Sequence, residues 1–176
     1  MKKLQNFTDI NNKIIGIIPV RMKASRFPGK PLKKIINFTM LEHVYHRANF
    51  FRFWTKLIVA TCDKEIFDFC KKKNFPCIMT SSKHTRCLDR VYEAANKIEF
   101  KLKKKDIVVC VQGDEPMLTA NMIHKTIKQI YLKKKALGSV LAMDIIHKKQ
   151  FFNKDIVKII HDIDGQVLYT SRAPVP

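Results

Sequence analysis

At 176 residues, 46% of them hydrophobic, the chain can bury one sizeable core, which excludes a disordered protein. The formal charge of +19 invites a nucleic-acid reading. However, 27 of the 34 cations are lysine, and with few glycines and many Ile, Asn and Phe this is the usage of A/T-rich codons, so a solvated lysine surface is favoured over a nucleic-acid patch.

Residues 1–12 read as a short N-terminal extension ahead of one domain over 13–176. The first predicted strand covers 13–19, where Ile14-Ile15-Gly16-Ile17-Ile18 is the short β-branched run of a buried parallel strand. It opens into a loop with four cations, Arg21, Lys23, Arg26 and Lys30, turned by Pro28-Gly29. Cations and backbone N–H groups at the end of a first strand make an anion site, most often for phosphate. Neither Gly-x-x-x-x-Gly-Lys-Ser/Thr nor Gly-x-Gly-x-x-Gly is present there. A helix follows over 39–52, with Thr39 as N-cap and Glu42 completing a capping box.

A second strand (56–61), a helix (63–73) stopped before Pro76 and a third strand (76–79) come next, then a helix over 87–101. The strand at 106–111 runs into Gln112-Gly113-Asp114-Glu115-Pro116. Adjacent carboxylates at a strand end, just past a glycine, can hold a divalent metal beside a phosphate. Together the cationic loop and the acidic tip suggest a nucleoside triphosphate with Mg²⁺ between them. A helix over 119–134, capped by Thr119, precedes strands at 138–145, 155–161 and 166–169, the last two joined by the turn Asp162-Ile163-Asp164-Gly165. Lysine triplets 71–73, 103–105 and 133–135 fall near predicted helix ends, where cations complement the dipole. Alternating strands and helices give an α/β fold with a mostly parallel sheet. Five cysteines without a Cys-x-x-Cys pair read as reduced thiols. With no apolar leader region and no run of membrane-spanning length, a cytoplasmic protein that engages no membrane is expected.

Four segments together resemble one family. Pro19-Val20-Arg21 through Arg26-Phe27-Pro28-Gly29-Lys30-Pro31-Leu32, Val59-Ala60-Thr61-Cys62-Asp63, Val111 to Pro116, and Leu168-Tyr169-Thr170-Ser171-Arg172 through Pro176 are similar to motifs of the 3-deoxy-manno-octulosonate (Kdo) cytidylyltransferases, or CMP-Kdo synthetases. The resemblance implies a nucleotide-diphospho-sugar transferase-like α/β sandwich. It implies transfer of CMP from CTP to the anomeric hydroxyl of Kdo, with release of pyrophosphate, for lipopolysaccharide biosynthesis. It implies Mg²⁺ as cofactor, CTP and Kdo as substrates, and a homodimer.

By that resemblance Arg21 and Lys30 hold the triphosphate, the alternative for each being a surface ion pair. Arg26 contacts substrate or pairs within its loop, and Lys23 is a solvated charge. Asp114 is the Mg²⁺ ligand, its alternative being a cap for the 119–134 helix. Gln112 bonds the sugar acid or backbone, and Arg172 pairs with the Kdo carboxylate or a phosphate. His84 and Arg90 belong to the loop on the cytosine side, where the family carries His-x-Ser-Gly-Thr-Glu-Arg and this chain has His84-Thr85-Arg86-Cys87-Leu88-Asp89-Arg90. The lost Gly and hydroxyls remove backbone freedom and base-reading hydrogen bonds. The family continues beyond the position of Pro176 into a part with a second metal-binding Asp, sugar-binding residues and most dimer contacts, so an incomplete domain is expected. The rival readings are an inactive nucleotide-binding remnant, a CMP-sialate synthetase and a basic nucleic-acid-binding protein. A steep salt dependence of RNA or DNA affinity would mark the last.

Overall fold

The computed structural model describes residues 12–23, 27–133 and 135–175. The chain forms two compact units, Met1–Leu137 and Gly138–Pro176, where the sequence reads as one domain.

The first unit is built on a parallel sheet. Strand β1 (Ile14–Val20) is buried at every residue because it has a neighbour on each side: β4 (Lys56–Thr61) and β6 (Ile107–Cys110). That position explains the unbroken apolar run, since a central parallel strand is covered on both faces. Ile14, Ile18 and Val20 point to one core. There they meet Leu41, Val44 and Ala48 of α1 (Met40–Asn49), Ile66 and Cys70 of α2 (Lys64–Lys72), and Ile123 and Ile127 of α4 (Ala120–Leu132). Ile15 and Ile17 point the other way, onto Val91, Ala94 and Ala95 of α3 (Cys87–Asn96). With β5 (Cys77–Met79) beyond β4, the strand order is β5-β4-β1-β6, so the sheet is sandwiched between helices as expected.

The capping box forms: Glu42 Oε2 accepts from the Thr39 backbone N–H (2.8 Å), and Thr39 Oγ1 accepts from the Glu42 N–H (3.2 Å). Thr39 belongs to a two-stranded ribbon, β2 (Lys34–Ile35) with β3 (Phe38–Thr39), which the sequence reading missed. Helix α2 ends with Asn74 at φ 57° and the Phe75 N–H returning to the Cys70 carbonyl (2.9 Å).

Three expectations are corrected. Helix α3 ends at Asn96 rather than 101, because Ile98, Phe100 and Leu102 leave it to pack on the α3-side core; Lys103–Lys105 therefore precede β6 instead of closing a helix. Strand β6 lies at the sheet's edge, and Val108 is 37% exposed, so it is not a fully buried strand. The apolar run 138–145 forms no strand: no partner strand pairs with it among the described residues, and extended backbone becomes a strand only when its N–H and C=O groups find one.

The second unit contains α5 (Lys148–Phe152), unforeseen in the sequence, and the antiparallel hairpin β7 (Lys158–His161) with β8 (Val167–Ser171). Its turn is the expected one. Asp162 Oδ1 accepts from the N–H groups of Asp164 (3.0 Å) and Gln166 (2.8 Å), and Gly165 sits at φ 77°. Lys158 is buried, and its ammonium donates to the carbonyls of Asn153, Ile156 and Arg172 at 2.7, 2.9 and 2.7 Å, which satisfies all three of its donors.

Candidate active site

The chain steps outward from β1 to β4 and β5, then returns to place β6 on β1's other side. The strand order therefore reverses between β1 and β6. In open parallel sheets that point, beyond the carboxyl ends, is where ligands bind. Both motif loops leave the sheet there. A cleft of about 620 Å³ lies between them, lined by Arg21, Lys23, Lys30, His84, Arg86, Arg90, Gln112 and Asp114 among others.

The loop after β1 is fastened at its neck. The Met22 N–H donates to Asp63 Oδ2 (2.8 Å), and the Gly29 N–H donates back to the Met22 carbonyl (2.9 Å). Gly29 adopts φ 71°, a left-handed conformation that suits glycine, and starts a 3-10 turn over Lys30–Leu32. This turn brings Lys30 Nζ to 3.1 Å from Asp114 Oδ2, joining the cationic loop to the acidic tip across 84 residues of sequence. The tip approaches closely because residue 113 is glycine. A Cβ there would lie 2.4 Å from Val20 Cγ1 and 2.7 Å from the Pro19 carbonyl oxygen. Helix α1 steadies the far side of the tip, with Arg47 Nε donating to the Leu118 carbonyl (2.7 Å). Thr119 Oγ1 caps α4 by accepting from the Met122 N–H (3.2 Å), so the helix does not need Asp114 as a cap.

The third wall, residues 80–86, hangs from α3. Glu93 accepts from the Ser81 N–H (2.8 Å) and from Lys97 Nζ (2.7 Å), and His84 Nε2 lies against it. Lys97 first, then Ser81 and His84, hold the Glu93 carboxyl down at about 2. One turn earlier on the helix, Arg90 is 3% exposed and donates to Thr80 Oγ1 and, at 3.4 Å, to the Ser81 carbonyl. Gln112 Nε2 sits 4.0 Å from Cys87 Sγ at the start of α3.

Six of the expected site residues thus line one cleft: Arg21, Lys30, His84, Arg90, Gln112 and Asp114. Lys23, expected to be only a solvated charge, lines it too. Arg26 lies outside the described residues. Arg172 stands in the second unit, where its Nη1 donates to the carbonyls of Lys154 and Asp155, both at 3.1 Å. Sequence reasoning missed Asp63, Glu93 and Arg47 as supports. Asp63 carried a signal as an acid just past a strand, but that pattern reads first as a helix N-cap. Its side chain makes no cap bond and holds Met22 instead. Among the described residues, no group of three or more His, Cys, Asp or Glu could hold a metal ion; Asp114 brings a carboxylate to the cleft lining.

A parallel sheet whose switch point gathers Arg21, Lys23, Lys30, Arg86 and Arg90 beside Asp114 defines an α/β protein with a strongly cationic cleft beyond its strand ends. A family model described as cytidylyltransferase matches residues 15–176, and the chain belongs to that family. It is 38% identical over 165 residues to the 3-deoxy-manno-octulosonate cytidylyltransferase of Thermodesulfovibrio yellowstonii, covering 92% of this chain and 64% of that one. It is 37% identical over 162 residues to the Saccharophagus degradans protein of the same name, covering 92% and 62%. The chain therefore spans a little under two thirds of these relatives' length. The structure of a CMP:2-keto-3-deoxy-manno-octonic acid synthetase complexed with CTP superposes with a TM-score of 0.79 at 29% identity, covering 94% of this chain and 66% of that one. A 4-diphosphocytidyl-2C-methyl-D-erythritol synthase shares the fold, with a TM-score of 0.62 at 16% identity. Among the described residues, no helix is long and apolar enough to cross a membrane.

Proposed function

We propose that this chain carries the nucleotide-binding part of a CMP-Kdo synthetase, which transfers CMP from CTP to the anomeric hydroxyl of Kdo and releases pyrophosphate. The observation that carries the reading is the Lys30–Asp114 pair at the switch point, with Arg21 on the same cleft wall. The anomeric oxygen attacks the α-phosphorus, and the bond from that phosphorus to the oxygen bridging to the β-phosphate breaks. The protein's work in such a step is to neutralise charge and hold the groups in line.

Arg21 and Lys30 neutralise the triphosphate and the charge gathering on the leaving pyrophosphate. Mg²⁺ would be held by Asp114, whose side chain is 58% exposed and open to water and phosphate oxygens, in keeping with an ion that binds through one or two carboxylates plus phosphates. When bound, the ion would screen the phosphates and orient them. Gln112 offers an amide to the sugar acid. His84 and Arg90 shape the wall facing the base, and Arg90 brings a buried positive charge that no carboxylate neutralises among the described residues.

The test is pyrophosphate release with CTP, Kdo and Mg²⁺, run beside calorimetric titration of CTP·Mg²⁺. CTP binding that disappears in Asp114→Asn without Mg²⁺-dependent recovery supports the assignment; binding indifferent to Mg²⁺ and to Asp114 overturns it.

A further inference from the structure

Helix α1 touches both halves of the cleft's charged pair. At its start, the Met40 N–H donates to the Lys33 carbonyl (2.9 Å), and Lys33 closes the 3-10 turn that carries Lys30. Near its end, Arg47 reaches the tip that carries Asp114. Its Nε donates to the Leu118 carbonyl (2.7 Å) and its Nη2 to the Met117 carbonyl at 3.5 Å. Met40 and Arg47 stand about two helical turns apart, so they share one face of the helix. The helix itself is fixed. Leu41, Val44 and Ala48 are fully buried, and the buried Glu42 carboxylate accepts from the Thr39 N–H and from Lys73 Nζ (2.8 Å).

We propose that Arg47 is a positioning residue: by tying the 117–118 end of the acidic tip to α1 it sets Asp114 against Lys30 and, on the cytidylyltransferase reading of the cleft, sets how readily the cleft takes CTP with Mg²⁺.

The tip's own backbone bonds are local. The Glu115 N–H donates to the Gln112 carbonyl (3.2 Å) and the Leu118 N–H to the Glu115 carbonyl (3.0 Å), which shapes the turn without anchoring it. Among the described residues, side-chain hydrogen bonds from other elements reach residues 113–118 from Lys30 at Asp114 and from Arg47 at Met117 and Leu118. A ligand whose phosphates engage Lys30 draws that ammonium away from Asp114. Arg47 then still holds the tip. It does not line the cleft, so it acts on a ligand through the tip alone.

The experiment compares two variants of the full chain. Arg47→Met keeps a long apolar stem without a donor, and Arg47→Lys keeps the charge and a donor. The first arm needs no nucleotide. The Glu115 and Leu118 amides should exchange hydrogen about tenfold faster in Arg47→Met, and within about threefold of the parent in Arg47→Lys. The Val111 amide, bonded to the Ile17 carbonyl (2.9 Å), should be unchanged in both and reports any general loosening. The second arm titrates Mg²⁺ at fixed CTP by calorimetry. Its midpoint should rise about tenfold in Arg47→Met with the number of binding sites unchanged, and Arg47→Lys should restore most of the loss. A merely structural role would lower the number of competent sites at an unmoved midpoint. Parental exchange at Glu115 and Leu118 in Arg47→Met, an equal rise at Val111, an unmoved midpoint, or Arg47→Lys as impaired as Arg47→Met each overturns the assignment. A parent chain that bound no CTP would refute the cytidylyltransferase reading, and the exchange arm would still decide whether Arg47 holds the tip.

Discussion

Replacing Gly113 by alanine tests the site's architecture most directly. The added Cβ would sit 2.7 Å from the Pro19 carbonyl oxygen and 2.4 Å from Val20 Cγ1. The valine methyl can move in part by rotation, but the carbonyl belongs to β1, which is buried and held in register by β4 and β6. The acidic tip must therefore give way by about 0.7 Å, the difference between 2.7 Å and the 3.4 Å at which ordinary contact begins, and Asp114 moves off Lys30 with it. Overpacking of this kind costs about 1–3 kcal/mol of stability. Displacing a charge-bearing group by a fraction of an ångström should cost about tenfold in affinity for CTP·Mg²⁺, given that ~1 Å can cost about a hundredfold in rate. Urea denaturation and calorimetry measure both effects. Gly138→Ala is the control, because nothing lies within 4 Å of its added Cβ. Gly113→Ala with parental stability and parental affinity would refute the argument that the close approach at Gly113 sets the tip's position.

Lys30→Ala should weaken CTP·Mg²⁺ binding by about 1.5–3 kcal/mol, the usual worth of a charge-assisted hydrogen bond, and Arg21→Ala should do the same. Lys23→Ala should weaken it less, and equal losses at all three positions, read by calorimetry, would indicate a diffuse cationic surface. Glu93 is held down at about 2, below its ordinary 4.5, so its support of the 80–86 wall is complete above about pH 4.5 and fades as pH falls toward 2. Urea midpoints followed over that window should fall more steeply for the parent than for Glu93→Gln; parallel curves would remove Glu93 from the account. Arg86, Cys87 and Leu88 stand where glycine and hydroxyls would read a base, so CTP and UTP should bind within about tenfold of each other, a lost hydrogen bond being worth about 1 kcal/mol. A hundredfold preference for CTP would show that other groups discriminate.

The sequence by itself determined the elements whose signals are local. A run of β-branched residues marked β1, Thr39 and Glu42 marked the start of α1, Thr119 marked α4, and Asp162–Gly165 marked the hairpin turn; each depends on residues within a few positions of one another. It also placed a cationic loop and an acidic tip at two strand ends. Their meeting was decided by tertiary structure. Only the order β5-β4-β1-β6 sets β1 beside β6 and brings Lys30 to Asp114. Asp63 binding Met22, Glu93 gathering Ser81, His84 and Lys97, and Gly113 pressed on Pro19 are likewise contacts between distant segments, where the local pattern shows at most a cap or an ordinary helix face. The same limit explains 138–145: alternation and apolarity say that a segment could be a strand, but a strand exists only where another backbone supplies its hydrogen bonds, and that partner is chosen by the whole fold.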